Sequence, residues 1–214
     1  MKYNQYIDHT LLRPDATSKE IKQLCVEAKK YQFASVCIHP HYVNHCKKLL
    51  TGTDVKVCTV VGFPLGSNTT RCKCDETIDA IANGAQEIDM VINISWLREG
   101  KLKDVIHEIK MLKKICKKHI LKVIVETSLL NVQDKINACA CVLAAKADFI
   151  KTSTGFSTGG ATVSDIKLFK QQLGNKIKIK ASGGIKTYQD MLAMIKAGAS
   201  RIGTSRGVAL MQGK

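Results

Sequence analysis

The feature that most constrains this chain is an alternation. Short apolar and β-branched runs recur along its 214 residues: "YIDHTLL", "ASVCIHP", "VKVCTVV", "EIDMVIN", "LKVIVET", "DFIKTST", "IKIKASG" and "SRIGTS". Between most of them lie stretches with helical periodicity, expected over residues 18–31, 69–83, 104–118, 132–146, 163–173 and 188–197. Thr17 or Ser18 supplies a start signal for the first, while Gly84 and Gly198 supply stop signals. Strands that alternate with helices build a parallel sheet, and eight such units predict closure into a (β/α)8 barrel. At about 27 residues per unit, the barrel has short loops and residues 1–214 form a single domain. No Pro/Gly/Ser-rich linker or low-complexity block divides the chain. An open doubly wound sheet is the runner-up, but it calls for a Gly-rich turn after the first strand, and "DHTLLRPD" has none.

In a closed barrel, alternate side chains face the helix layer and the interior, and active sites lie at the C-terminal ends of the strands. Parity therefore sorts each run. Ile177, Ile179 and Ala181 suit the helix layer and leave Lys180 pointing inward. Ile88, Met90 and Ile92 leave Asp89 inward, and Ile150 leaves Phe149 and Lys151 inward. Val36 and Ile38 leave Cys37 inward, and Ile7 leaves Asp8 inward. Two lysines and two aspartates on the inner parity of otherwise apolar strands point to chemistry.

Lys151 and Lys180 fall on neighbouring strands, about 4.8 Å apart. Mutual repulsion and desolvation both favour a neutral amine. Bringing a lysine from about 10.4 to about 7 or 8 takes roughly 3–4 kcal/mol. The product is a nucleophile able to form a Schiff base with a carbonyl. Parity leaves open which lysine plays that part. If Lys180 stays charged, Asp89 can bond to it and relay protons through water. "ASGGIKT" and "RIGTSRG" close the seventh and eighth strands, where such barrels commonly hold phosphate. Gly183, Gly184 and Gly203 let backbone N–H groups approach an anion, and Ser205 with the start of a last short helix adds donors.

The net charge of +15 raises the question of a polyanionic partner. Only five of the 33 basic residues are Arg, and the lysines spread along helical faces such as "IKMLKKICKKHI" without interleaved aromatics. Base-reading surfaces favour Arg, so no nucleic-acid partner is expected; the positive field suits small phosphorylated substrates. Most of the nine cysteines, in a chain of this size with no signal-peptide core, read as reduced and buried, in a cytoplasmic protein. Cys72 and Cys74, like Cys139 and Cys141, are separated by one residue on helical stretches and do not suit a zinc site. His39, His41 and His45 lack an inward carboxylate at matching spacing, so no metal is expected. No apolar run approaches the roughly 20 residues of a membrane span. Glu126 ends the fifth strand on the inner parity, there to hold a charge network or to touch substrate.

"FIKTSTGFSTGGAT", "KASGGIKT", "RIGTSRG", "EIDMVIN" and "VVGFPLG" closely resemble motifs of the deoxyribose-phosphate aldolase family, in order, from "IDHTLL" to "RIGTSRGVAL". The resemblance implies a class I aldolase, without metal or organic cofactor. Such an enzyme reversibly splits 2-deoxy-D-ribose 5-phosphate into acetaldehyde and D-glyceraldehyde 3-phosphate, in deoxyribonucleotide catabolism. It implies that Lys151 forms the Schiff base, that Lys180 perturbs its pKa and that Asp89 serves the proton relay. Asp8, Cys37, Thr154 and Gly155 match substrate-pocket positions. Many members end in a tyrosine thought to assist proton transfer; here no tyrosine follows Tyr188, so either water carries that proton or the tail is missing. A reading from another class is a basic barrel that binds phosphorylated ligands or nucleic acid without chemistry. The sequence leaves oligomeric state open, with a homodimer as one option.

Overall fold

Eight parallel strands pair in chain order and the last pairs with the first, closing a barrel. The computed structural model describes residues 3–213. The strands are β1 (Ile7–Leu11), β2 (Ser35–Ile38), β3 (Lys56–Val61), β4 (Glu87–Val91), β5 (Ile120–Ile124), β6 (Phe149–Lys151), β7 (Lys178–Ser182) and β8 (Arg201–Thr204). Around them run α1 (Ser18–Tyr31), α2 (Val43–Leu49), α3 (Thr70–Ala82), α4 (Ile94–Arg98) and α5 (Leu102–Cys116). The ring continues with α6 (Val132–Ala144), α7 (Val163–Leu173), α8 (Tyr188–Ala197) and α9 (Gly207–Gln212). At the seam Ile7 lies opposite Ile202 and Asp8 opposite Gly203.

Local chemistry explains the helix starts. The Thr17 side chain accepts from the Glu20 backbone N–H, and the Glu20 carboxylate accepts from the Thr17 N–H. The same reciprocal cap opens α6 at Asn131/Asp134 and α8 at Thr187/Asp190. Of the helices the sequence predicts, α1, α7 and α8 have the expected bounds, whereas α5 starts two residues early, at Leu102. The short helices α2 and α4 were not foreseen, because five to seven residues are too few to show periodicity.

Outward strand residues, among them Ile7, Val36, Ile88, Met90, Val123, Ile150 and Ile202, form the main core against the helices. Each such buried side chain contributes about 1.5–3 kcal/mol. Inside the barrel a much smaller apolar cluster, Leu12, Cys37, Cys58 and Val60 with Phe63 packed against it, fills one side. The helix layer also holds an ion pair with no exposed side-chain surface: Lys73 of α3 donates to Glu108 Oε1 of α5 at 2.7 Å. Lys73 also donates to Val91 O at 2.9 Å, and Glu108 Oε2 accepts from the Asn93 N–H at 3.0 Å. The pair thereby clamps the C-terminal end of β4. Burial pulls the Lys73 ammonium down and pushes the Glu108 carboxyl up, and their mutual attraction offsets this only in part. Among the described residues, no helix is long and apolar enough to cross a membrane.

Candidate active site

The inward residues of six strands meet in one buried charge cluster. Lys151 and Lys180 are register partners on β6 and β7. Asp89 Oδ2 accepts from both, at 2.7 Å each. Asp89 Oδ1 accepts from Lys122 Nζ at 2.8 Å and from Cys58 Sγ at 3.1 Å. Asp8 pairs with Lys180 at 2.5 Å and with Arg201 at 2.6 Å, and takes a hydrogen bond from Ser35 Oγ at 2.6 Å. Glu87 completes the cluster, 2.6 Å from Lys122 and 3.0 Å from Arg201. Four cations thus face three carboxylates, a surplus of one positive charge.

For Lys180 this arrangement corrects the expectation that repulsion and burial favour the neutral amine. Burial would lower the Lys180 ammonium, but Asp8 and Asp89 outweigh it and hold Lys180 above its ordinary range. Lys122 is likewise held up, against burial, by Asp89 and Glu87. Burial would raise the Asp89 carboxyl, yet Lys122, Lys151 and Lys180 together hold it well below the usual carboxylate range. The repelling ammonium groups are bridged by a shared anion.

Above the cluster, between the ends of β1, β6, β7 and β8, opens a cavity of about 450 Å³. Lys151 lines it, with Thr154, Gly155, Gly183, Gly184, Gly203 and Ser205, all singled out from sequence. Lys180 and Asp89 are not among the lining residues; they lie beneath. The same holds for Asp8 and Cys37, which the resemblance assigned to the substrate pocket but which have no exposed surface. Thr10, Leu12, Arg13, Phe156, Ser182, Lys186, Thr204 and Arg206 also line the cavity and were not foreseen. Phe156 packs edge-on against Phe63, ring centroids 5.3 Å apart, forming an apolar side to the mouth.

Two close approaches explain glycines here. A Cβ on Gly160 would lie 2.4 Å from the Gly183 carbonyl, so the β6 and β7 loops pack backbone to backbone. The Ala161 N–H then donates to Ser182 O and Gly183 O, each at 3.0 Å. A Cβ on Gly203 would lie 3.0 Å from Lys180 Cε, so its absence leaves room for the buried lysine stem. Glu126 sits in the left-handed region at φ 56. Its buried Oε2 accepts from the Thr154 N–H at 3.1 Å and the Thr154 hydroxyl at 2.5 Å. Neither role expected of Glu126 describes this arrangement: it holds the loop that presents Thr154 to the cavity.

The sequence reading missed Lys122, Glu87 and Arg201, although its own parity rule reached them. Val123 and Val125 outward leave Lys122 inward, and Glu87 shares the parity of Asp89. His39 stacks on His41, ring centroids 6.3 Å apart, but its Nε2 lies 2.8 Å from Leu12 O. Among the described residues, the one group with ligand atoms close enough to share a metal is Cys37, Cys58 and Asp89. Lys122 Nζ already engages both Cys58 Sγ, at 3.3 Å, and Asp89, which does not suit a cation.

A closed eight-stranded barrel with a lysine on its cavity floor, ringed by glycine-rich loops, defines a barrel of the aldolase class. The chain belongs to the DeoC/LacD aldolase family, whose model matches residues 3–213. It is 56% identical over 212 residues to deoxyribose-phosphate aldolase of Malacoplasma penetrans, covering 99% of this chain and 96% of that one. It is 53% identical over 214 residues to the enzyme of that name from Streptococcus pneumoniae, covering 100% and 97%. Among solved structures, a putative deoxyribose-phosphate aldolase from Coccidioides immitis superposes with a TM-score of 0.96 at 42% identity, covering 99% of this chain and 85% of that one. The deoxyribose phosphate aldolase of Aeropyrum pernix, described as a unique tetramer, gives 0.92 at 31% identity, covering 98% and 89%.

Proposed function

We propose that this chain is a class I aldolase that reversibly splits 2-deoxy-D-ribose 5-phosphate into acetaldehyde and D-glyceraldehyde 3-phosphate, with Lys151 as its Schiff-base nucleophile. One observation carries the assignment to Lys151. It is the member of the charge cluster that lines the cavity, and the cluster holds one cation more than carboxylates.

The neutral Lys151 amine attacks the C1 carbonyl of the open-chain sugar, a proton passes to oxygen, and water leaves to form the iminium. The C3 hydroxyl then loses its proton and the C2–C3 bonding pair flows toward the iminium nitrogen, releasing glyceraldehyde 3-phosphate. Protonation of the enamine at C2 and hydrolysis return acetaldehyde and the free amine. Asp89, kept ionised by its three lysines, and Lys180, kept charged by two aspartates, relay these protons through water, a role worth about 10²–10⁴ in rate. Thr154, Gly155, Gly183, Gly184, Gly203 and Ser205 hold the sugar and its phosphate. Asp8 acts from beneath, by holding Lys180, and Cys37 bounds the interior beside them.

The names of the relatives support the substrate. The reading takes residues 1–214 as one barrel domain, placed in the cytoplasm and in deoxyribonucleotide catabolism, with a homodimer as the assembly to test by light scattering. Borohydride reduction in the presence of acetaldehyde tests the nucleophile. A two-carbon adduct mapped to Lys151 is expected. No adduct, or one on Lys180, overturns the assignment.

A further inference from the structure

The proposed chemistry leaves a pair of interior thiols unused. Cys37 of β2 and Cys58 of β3 are register partners on adjacent parallel strands, and neither has exposed surface. Both point inward, into the small apolar cluster with Leu12 and Val60. Adjacent strands run about 4.8 Å apart, and disulfide-linked Cα atoms lie about 4.4–6.8 Å apart. Cys37 Sγ, Cys58 Sγ and a carboxylate oxygen of Asp89 all lie within 4.8 Å of one another. Joining the sulfurs therefore takes rotation of two side chains and no displacement of a strand.

We propose that Cys37 and Cys58 form a reversible disulfide when a hydroperoxide enters the barrel, and that this bond switches the site off. The Cys37 thiolate attacks one peroxide oxygen; an S–O bond forms as the O–O bond breaks. The departing hydroxide takes up the thiol proton and leaves as water. The Cys58 sulfur then attacks the Cys37 sulfenic acid, an S–S bond forms as the S–O bond breaks, and a second water leaves. Two thiols are oxidised by two electrons and one hydrogen peroxide is reduced to two waters.

The surroundings favour this order of events. The neighbouring Cys58 sulfur lowers the Cys37 thiol against the effect of burial, helped by the Lys180 and Lys151 charges. Burial holds Cys58 protonated. Neither sulfur lines the cavity, so peroxide, a molecule of two heavy atoms, reaches Cys37 through a local opening of the interior. The consequence reaches Asp89. Cys58 donates its S–H to Asp89 Oδ1 and also contacts Lys122, so a disulfide removes one of the carboxylate's four donors. A dithiol that enters the same way reverses the link by thiol–disulfide exchange.

The chain carries its own control. Cys25 of α1 and Cys46 of α2 form a second buried thiol pair, in the helix layer and away from the cavity. The full chain, first reduced, is treated with hydrogen peroxide, blocked with N-ethylmaleimide, digested without reductant and analysed by mass. Peptides joined through Cys37 and Cys58 should accumulate in step with the loss of acetaldehyde release, and dithiothreitol should reverse both. The expected loss in kcat/KM is about tenfold or more, the worth of one hydrogen bond to a charged group. Cys25→Ala should keep the link and the reversible loss, and Cys58→Ala should lose both. An inactivated enzyme with Cys37 unlinked, or reversible loss that vanishes in Cys25→Ala, overturns the proposal. The activity arm rests on the aldolase reading, but the link is read by mass alone. No link sinks the switch while that reading stands, whereas reduced protein that never releases acetaldehyde sinks the reading and spares the disulfide.

Discussion

Two places in this molecule bury a lysine against a carboxylate, and burial has opposite outcomes in them. Between α3 and α5, Lys73 and Glu108 form a direct pair, with Glu76 acting on Lys73 only as a weaker influence, and desolvation pushes both toward their neutral forms. Inside the barrel, Asp89 is shared by three lysines and Lys180 by two aspartates, and each group is held more firmly charged. A lone buried pair recovers one Coulombic attraction for two desolvated ions. A network gives Asp89 and Lys180 several attractions each for the same single desolvation, so the balance reverses. The lone pair can serve as a clamp. The network can keep a carboxylate and an ammonium charged in the resting site, next to an amine.

The largest effect expected from this contrast is on Lys151. Lys151→Met removes the surplus cation, so kcat/KM should fall by about 10⁴-fold or more, as for loss of other covalent nucleophiles. Its melting temperature should stay level or rise. A drop in melting temperature would break the idea that Lys151 is the cluster's unbalanced charge.

Asp89→Asn should do the reverse to stability, leaving four cations with two carboxylates. A loss of about 3–5 kcal/mol in urea unfolding is expected, as for other broken buried pairs. Glu108→Gln should cost less, about 1–2 kcal/mol, because Lys73 can shed its proton instead of standing charged and alone. Equal losses at the two sites would erase the distinction. Replacing the lone pair outright, by Lys73→Met with Glu108→Leu, should change stability by no more than about 1 kcal/mol.

The smallest effect is a slope. Asp8 and Asp89 are depressed, so their stabilisation is present above the usual carboxylate range and is lost as pH falls through their lower folded values. Glu108 is raised from 4.5, so its contribution is greatest below that pH and declines as pH climbs toward its folded value. Melting curves should therefore show Glu108→Gln gaining on wild type from pH 4.5 toward neutrality, while both lose stability in acid. Parallel profiles across that window would count against the lone-pair half of the comparison.

How much of this was written locally explains what the sequence revealed. Strand alternation, helix caps and parity are properties of neighbouring residues, and they delivered the barrel, Lys151, Lys180 and Asp89. Parity also reached Lys122, in a strand where only Glu126 was followed. What it lacked was the partner list. Arg201 meets Asp8 across 193 residues, and only closure and register decide that contact. Lys73 was hidden for another reason: the buried face of α3 is mixed, with Lys73, Cys74, Thr77 and Ala80, so a lysine there looks like a solvated one. The depth of Cys37 and Asp8 below the cavity likewise depends on how far each strand rises in the finished barrel.

The seam between β1 and β8 has a consequence for synthesis. Asp8 leaves the ribosome early, but its partner Arg201 lies on the last strand to emerge. Until then β1 carries an unpaired edge and a carboxylate without its guanidinium. Contacts of such long separation slow folding, and open parallel edges invite pairing with other chains. Until β8 is in place the strands can form only a sheet with two free margins, and its pairing with β1 is the event that makes a barrel.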